Sequence, residues 1–122
     1  FNLKPSAPLR VPGWKDVCAS WGNVFVLQEN GKLLAWGRDD HGQLPAREMP
    51  EIAMVAAGSE HCLALKLDGT VLAWGWGEHG NCGQHTDAKG DVNGTWNELT
   101  VPGDVRGIFS GCATSFILTA RT

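Results

Sequence analysis

The chain has 122 residues, 43% of them hydrophobic and 19% charged, with a formal net charge of −3, which suits one globular domain and argues against a disordered segment. Its ten Lys and Arg residues are scattered rather than clustered as a nucleic-acid footprint requires, and its apolar runs span only a few residues, too short for a membrane helix or a secretory leader. In chain order, a small apolar strand is predicted at Val17-Cys18-Ala19-Ser20 and an alternating apolar strand at Val24-Phe25-Val26-Leu27. Glu29-Asn30-Gly31 then turns the chain into a third strand ending in Trp36-Gly37, and a glycine-rich loop with His41-Gly42 leads through a short fourth strand to the next unit. The order then repeats. Ala53 to Gly58 forms a small first strand and Cys62-Leu63-Ala64-Leu65 a second. The Leu67-Asp68-Gly69 turn follows, and the third strand ends in Trp74-Gly75.

The repeat is close. Leu33-Leu34-Ala35-Trp36-Gly37 recurs 38 residues later as Val71-Leu72-Ala73-Trp74-Gly75, and His41-Gly42 recurs as His79-Gly80 at the same distance. A truncated third copy runs from Ile108-Phe109-Ser110-Gly111-Cys112 to Phe116-Ile117-Leu118. Units of about 40–50 residues built only of short strands are the mark of propeller blades. Small residues on the first strand and Trp on the third suit a wedge that is crowded near an axis and opens outward. A parallel α/β repeat would need a helical period in each unit, and none is present. The expected fold is therefore all-β, about two and a half blades of a β-propeller with four-stranded antiparallel blades. Repeat 1 covers about residues 14–51 and repeat 2 about 52–104. Partial repeat 3 covers about 105–122. The polar segment 84–100, with Asp87, Lys89, Asp91, Asn93 and Asn97, reads as a surface insertion between the third and fourth strands of repeat 2.

Cys18 and Cys62 fall within apolar strand patterns, where a free thiol behaves as a small hydrophobe. The four cysteines are therefore read as free thiols of a reducing, intracellular compartment. The Asn93-Gly94-Thr95 sequon has no use there.

The landmarks Gly58-Ser59-Glu60-His61, Asp68-Gly69 and the run Trp74-Gly75-Trp76-Gly77-Glu78-His79-Gly80-Asn81-Cys82-Gly83 resemble the regulator-of-chromosome-condensation repeat family. Within it, that run and Gly111-Cys112-Ala113-Thr114 resemble the C-terminal part of the fungal alpha-tubulin-suppressor, or killer-toxin-insensitivity, propellers. The family resemblance implies a seven-bladed propeller of which this sequence holds the last third or so. The closer resemblance implies a non-enzymatic, cytoplasmic protein, with the nucleus as a second location. Its implied role is regulatory partner of a small zinc- or iron-binding protein of diphthamide biosynthesis, and it also supports Elongator-dependent modification of tRNA wobble uridines. The alternative implied by the family's founding member is guanine-nucleotide exchange on a small GTPase. No cofactor, direct nucleic-acid contact or membrane is implied. The plant ultraviolet photoreceptor of the same fold places an arginine after its repeated loop tryptophan; Gly77 stands there in this chain, which argues against photoreception.

Several residues invite a chemical reading. His79, Cys82 and His85 are spaced three apart, as in some metal sites, and a metal-assisted hydrolase using them is the weakest of the functional readings. A structural zinc site needs four ligands and a catalytic one three, and His79 has a repeat counterpart in His41 that no cysteine follows. Glu60 beside His61 hints at a general base, but no nucleophile motif accompanies the pair, and a structural histidine tying blade edges is favoured. Trp36 and Trp74, being repeat-equivalent, are assigned to packing, and Gly31 and Gly69 to the turns. Trp76 is outside the repeat pattern, since Arg38 occupies that place in repeat 1. Interface and packing roles are open to it. The expected partner surface comprises Trp76, Glu78 and His79 with Arg38, Asp39 and Asp40. An arc of two and a half blades leaves apolar faces uncovered. The further expectation is thus that N-terminal blades of the same propeller, or self-association, complete the assembly.

Overall fold

Residues 11–45, 49–83 and 85–120 are described by the computed structural model of the protein. The alternating segments form nine strands among these residues: β1 (Trp14–Ala19), β2 (Asn23–Gln28), β3 (Leu33–Gly37), β4 (Ile52–Ala57), β5 (His61–Lys66), β6 (Val71–Trp76), β7 (Asp91–Leu99), β8 (Asp104–Ser110) and β9 (Ser115–Ala120). No helix occurs among them. Three antiparallel sheets follow chain order, β1-β2-β3, then β4-β5-β6-β7, then β8-β9. The sequence repeat is preserved as register: Val24 stands opposite Trp36 in the first sheet, and Cys62 opposite Trp74 in the second.

The hairpins turn where expected, at Glu29-Asn30-Gly31 and Leu67-Asp68-Gly69. Gly31 and Gly69 have φ of 84° and 92°, while among the described residues none other than glycine has positive φ. Asn30 and Asp68 are thus not left-handed. Gly31 N donates to Gln28 O and Gln28 N to Lys32 O, with the same pair of bonds between Lys66, Gly69 and Thr70. This is a three-residue loop, a type I turn closed by a glycine bulge, rather than a two-residue turn. Asn30 and Asp68 serve it through their side chains, accepting from Lys32 N and Thr70 N at 3.0 Å each. The Trp-Gly pairs have a similar local cause. Gly37 and Gly75 have φ of 125° and 102°, and a Cβ on either would strike the main chain of Gly22 or Glu60. That close approach lets Arg38 N donate to Gly22 O at 3.0 Å and Trp76 N to Glu60 O at 2.9 Å.

The sheets are arranged as neighbouring blades. β1 packs on β4 and β4 on β8, so the small first strands of successive units meet. Trp21 N donates to Ser59 O, and Ser59 N to Cys112 O, each at 3.0 Å. These three residues hold one position in three successive repeats, so one hydrogen bond is handed from blade to blade around a common axis. The groove along that axis is lined by Ala19 to Trp21, Ala57 to Ser59 and Ser110 to Cys112. Burial follows from this arrangement. β5 and β6, covered on both sides, are buried almost throughout, whereas β9 alternates between half-buried and exposed residues. Phe25, Leu27, Ile52, Leu63, Leu72 and Trp74 are among the side chains that close the core.

The insertion expected at 84–100 is corrected by β7. Residues 91–99 are the fourth strand of the second blade, nine residues long, paired with β6 from Val71↔Leu99 to Trp76↔Asp91. Only the residues up to Gly90 form the connecting loop. An outermost strand is polar because solvent bathes much of it. Asp91 and Val92 are buried, Trp96 and Leu99 pack against the core, and Asn93 to Thr95 are exposed. No fourth strand is present in the first blade among the described residues.

Candidate functional site

At one rim of the first two blades the loop after β3 reaches across to the second sheet. The Trp-Gly geometry sends Arg38 over that junction, where its guanidinium bonds Asp40 through Nε at 3.1 Å and Glu60 through a terminal nitrogen at 3.2 Å. The Arg38 hydrogen bond holds the Asp40 carboxyl down at about 2. Gln43, buried, donates to Asp40 Oδ1 at 3.0 Å and accepts from His41 N at 2.8 Å. His41 Nδ1 lies 2.9 Å from Oδ1 of Asp91, a buried residue at the start of β7. Asp39 caps the same loop by accepting from Leu44 N at 3.1 Å.

Trp76 lies against this clasp. Its ring centroid is 6.0 Å from that of His41 and 5.0 Å from that of His79, the latter edge-on at 83°. The indole N–H donates to Glu78 Oε2 at 3.2 Å. The structure therefore brings Arg38 and Asp40 beside Trp76, Glu78 and His79 by way of His41, and adds Gln43, Glu60 and Asp91, whereas the Asp39 carboxylate turns back into its own loop. Asp39, Glu78 and His79 are exposed, and Trp76 is half-buried. The repeat marked His41 as the counterpart of His79, but no signal in the chain pairs it with Asp91, fifty residues on.

The groups singled out for metal or base chemistry separate. Cys82 is fully buried, with Sγ directed to Trp74 O at 3.4 Å, and burial aided by the charge of Asp91 pushes its thiol up to about 12. His79 and His85 are exposed, so the three do not share a site. Among the described residues only Asp40, His41 and Glu60 converge with ligand atoms within 4.8 Å of one another. Arg38 already supplies the positive charge at both carboxylates. His61 is buried, its pKa lowered by burial, and its Nε2 lies 2.9 Å from Ser115 Oγ on the third blade. Trp74 is fully buried and donates from Nε1 to Gln43 O at 2.9 Å, whereas Trp36 is half-buried. All four cysteines are free; burial also pushes the thiol of Cys18 up to about 12 and that of Cys62 upward, while Cys112 is exposed.

Comparison with solved structures places the chain among propellers. It is similar to Prp20p from Saccharomyces cerevisiae, described with its binding to Gsp1p and histones, with a TM-score of 0.72 at 18% identity over 92% of this chain and 31% of that one. It is similar to a chain in the structure of Kap60 bound to yeast RCC1 (Prp20), with a TM-score of 0.75 at 25% identity over 91% of this chain and 29% of that one. Human WBSCR16 gives 0.73 at 18% identity over 92% and 33%. The chain thus spans about a third of the length of the solved propellers it matches. Comparison with curated protein sequences returns no match. The regulator of chromosome condensation (RCC1) repeat matches residues 14–43 and 52–84, the first two blades with their clasped loops, and the chain belongs to that repeat family.

Proposed function

We propose that this chain is a non-catalytic binding module whose partner docks at the rim formed by Trp76, Glu78, His79 and Asp39. One observation carries the reading: the Arg38–Asp40–Glu60 and His41–Asp91 contacts hold an aromatic–acidic surface in place before any partner arrives. A surface ordered in advance loses less conformational freedom on binding, and tryptophan is the residue type most enriched at binding hot spots. The partner we propose is the small zinc- or iron-binding protein of diphthamide biosynthesis, in the cytoplasm, with the pair supporting Elongator-dependent tRNA modification. The run from Trp74 to Gly83 supports this choice through its resemblance to the killer-toxin-insensitivity propellers.

A second reading, exchange on a small GTPase, draws on the likeness to Prp20p, whose structure was described with its binding to Gsp1p. Affinity capture from fungal extract, with the intact chain and its Trp76→Ala variant as baits, separates the two. Recovery of the diphthamide protein, reduced by the variant, is the expected result. Recovery of a GTPase in its place would favour the second reading, and capture that ignores Trp76→Ala would remove the rim from the account.

A further inference from the structure

Asn-Gly occurs twice in this chain, at Asn30-Gly31 and Asn93-Gly94. In this dipeptide the side-chain amide is open to attack by the next main-chain nitrogen, which must first lose its proton and then reach the amide carbon. Glycine leaves both the approach and the main-chain rotation unhindered. The fold treats the two pairs differently. In the first hairpin Gly31 is buried, its N–H donates to Gln28 O at 2.9 Å, and Asn30 Oδ1 accepts from Lys32 N at 3.0 Å. Nucleophile and electrophile are each held. Asn93-Gly94 stands on β7, where Val92 pairs with Gly75 and Asn97 with Ala73. On β6 Trp74 alone separates those partners, whereas Asn93, Gly94, Thr95 and Trp96 separate them on β7, so these residues form a bulge without register partners. Asn93 to Thr95 are exposed, Gly94 has φ of 75°, and open space lies where a side chain on it would stand.

We propose that Asn93 is a self-modification site of the folded protein, converted to aspartate and isoaspartate by its own neighbour. Hydroxide takes the proton of Gly94 N, the nitrogen adds to Asn93 Cγ, and the bond from Cγ to the side-chain nitrogen breaks with release of ammonia. Water then opens the resulting succinimide. Cleavage at Cγ leaves aspartate, and cleavage at the main-chain carbonyl leaves isoaspartate. The product falls on the rim. Asp91, which lies 2.9 Å from His41 Nδ1, is on the same strand just before the bulge, and a Cβ on Gly42 would strike the Cα and Cβ of Asn93. Both products replace a neutral amide by a carboxylate at this tight contact, and the isoaspartyl form also lengthens the main chain there by a carbon atom. The bulge then no longer fits the His41-Gly42 loop, so the change loosens the clasp that orders the rim.

The reaction needs no partner, so it stands or falls separately from the docking assignment above. The purified chain is held at mildly alkaline pH, folded and in urea, and the acid and isoaspartyl forms at each Asn-Gly pair are followed over time by peptide mapping and mass spectrometry. In the folded chain Asn93 should convert about tenfold faster than Asn30, the scale set by breaking the two hydrogen bonds that hold the first turn. In urea the two should convert at similar rates, because only the fold distinguishes them. Equal rates in the folded chain, conversion of Asn93 in urea alone, or the same difference in rates folded and unfolded would overturn the proposal. The effect on the rim is read by hydrogen exchange at Gly42 N, which donates to Asp39 O at 3.2 Å. It should exchange faster in the converted fraction, separated by charge, than in fresh protein. Unchanged exchange there would overturn the link to the rim. No substitution enters the test, so the folding of a variant cannot obscure it.

Discussion

His61 shows what a single buried side chain demands of this fold. It joins the second blade to the third through Ser115, and burial lowers its pKa below the ordinary 6.5. The unfolded chain therefore binds a proton at this residue that the native protein resists. Stability is greatest above the ordinary histidine value and falls as pH drops through it towards the lower native value. Urea unfolding at pH 7.5 and 5.5 should show this loss, and His61→Asn should shrink it. Asparagine already occupies the equivalent place at Asn23, where it donates to Arg38 O at 2.6 Å. An unchanged pH dependence in the variant would mean that other groups set it.

At the scale of the element, blade-to-blade packing is carried by side chains that leave one sheet and end in the next. Trp74 does this, leaving β6 and reaching the Gln43 carbonyl in the loop of the preceding blade. Trp74→Ala empties that space and leaves the carbonyl without its donor, and should cost about 3–5 kcal/mol in chemical denaturation. Trp76→Ala, at a half-buried position, should cost distinctly less. Equal losses would assign both rings to packing. The first three strands of the first two blades were legible in the sequence, because their apolar alternation, Asx-Gly turns and Trp-Gly ends are local features repeated at a fixed spacing. β7 was not. Asp91, Asn93 and Asn97 look like a loop in isolation, and what makes them a strand is the exposed edge of β6, a tertiary cause. The clasp was legible only in half for the same reason. Arg38, Asp40 and Trp76 announce themselves by position in the repeat, whereas Asp91 and Gln43 matter because folding sets them beside His41 and Trp74.

For the whole molecule, the successive hydrogen bonds Trp21–Ser59–Cys112 describe blades set around an axis, and the resulting arc has two flanks. Trp14, Val17 and Trp21 on the first blade are 53–69% exposed, and Phe109, Phe116 and Leu118 on the third are 55–57% exposed. The middle blade shows what such faces become when covered, since β5 and β6 are buried almost throughout. Large apolar side chains gathered in this way on exposed sheet faces mark surfaces that another body covers. Sedimentation equilibrium combined with native mass spectrometry of the 122-residue chain tests this arc directly. The account predicts that the folded protein is found in a species heavier than its own 13.1 kDa, self-associated or bound to further blades. A stable, cooperatively folded 13.1 kDa monomer with no companion would contradict it.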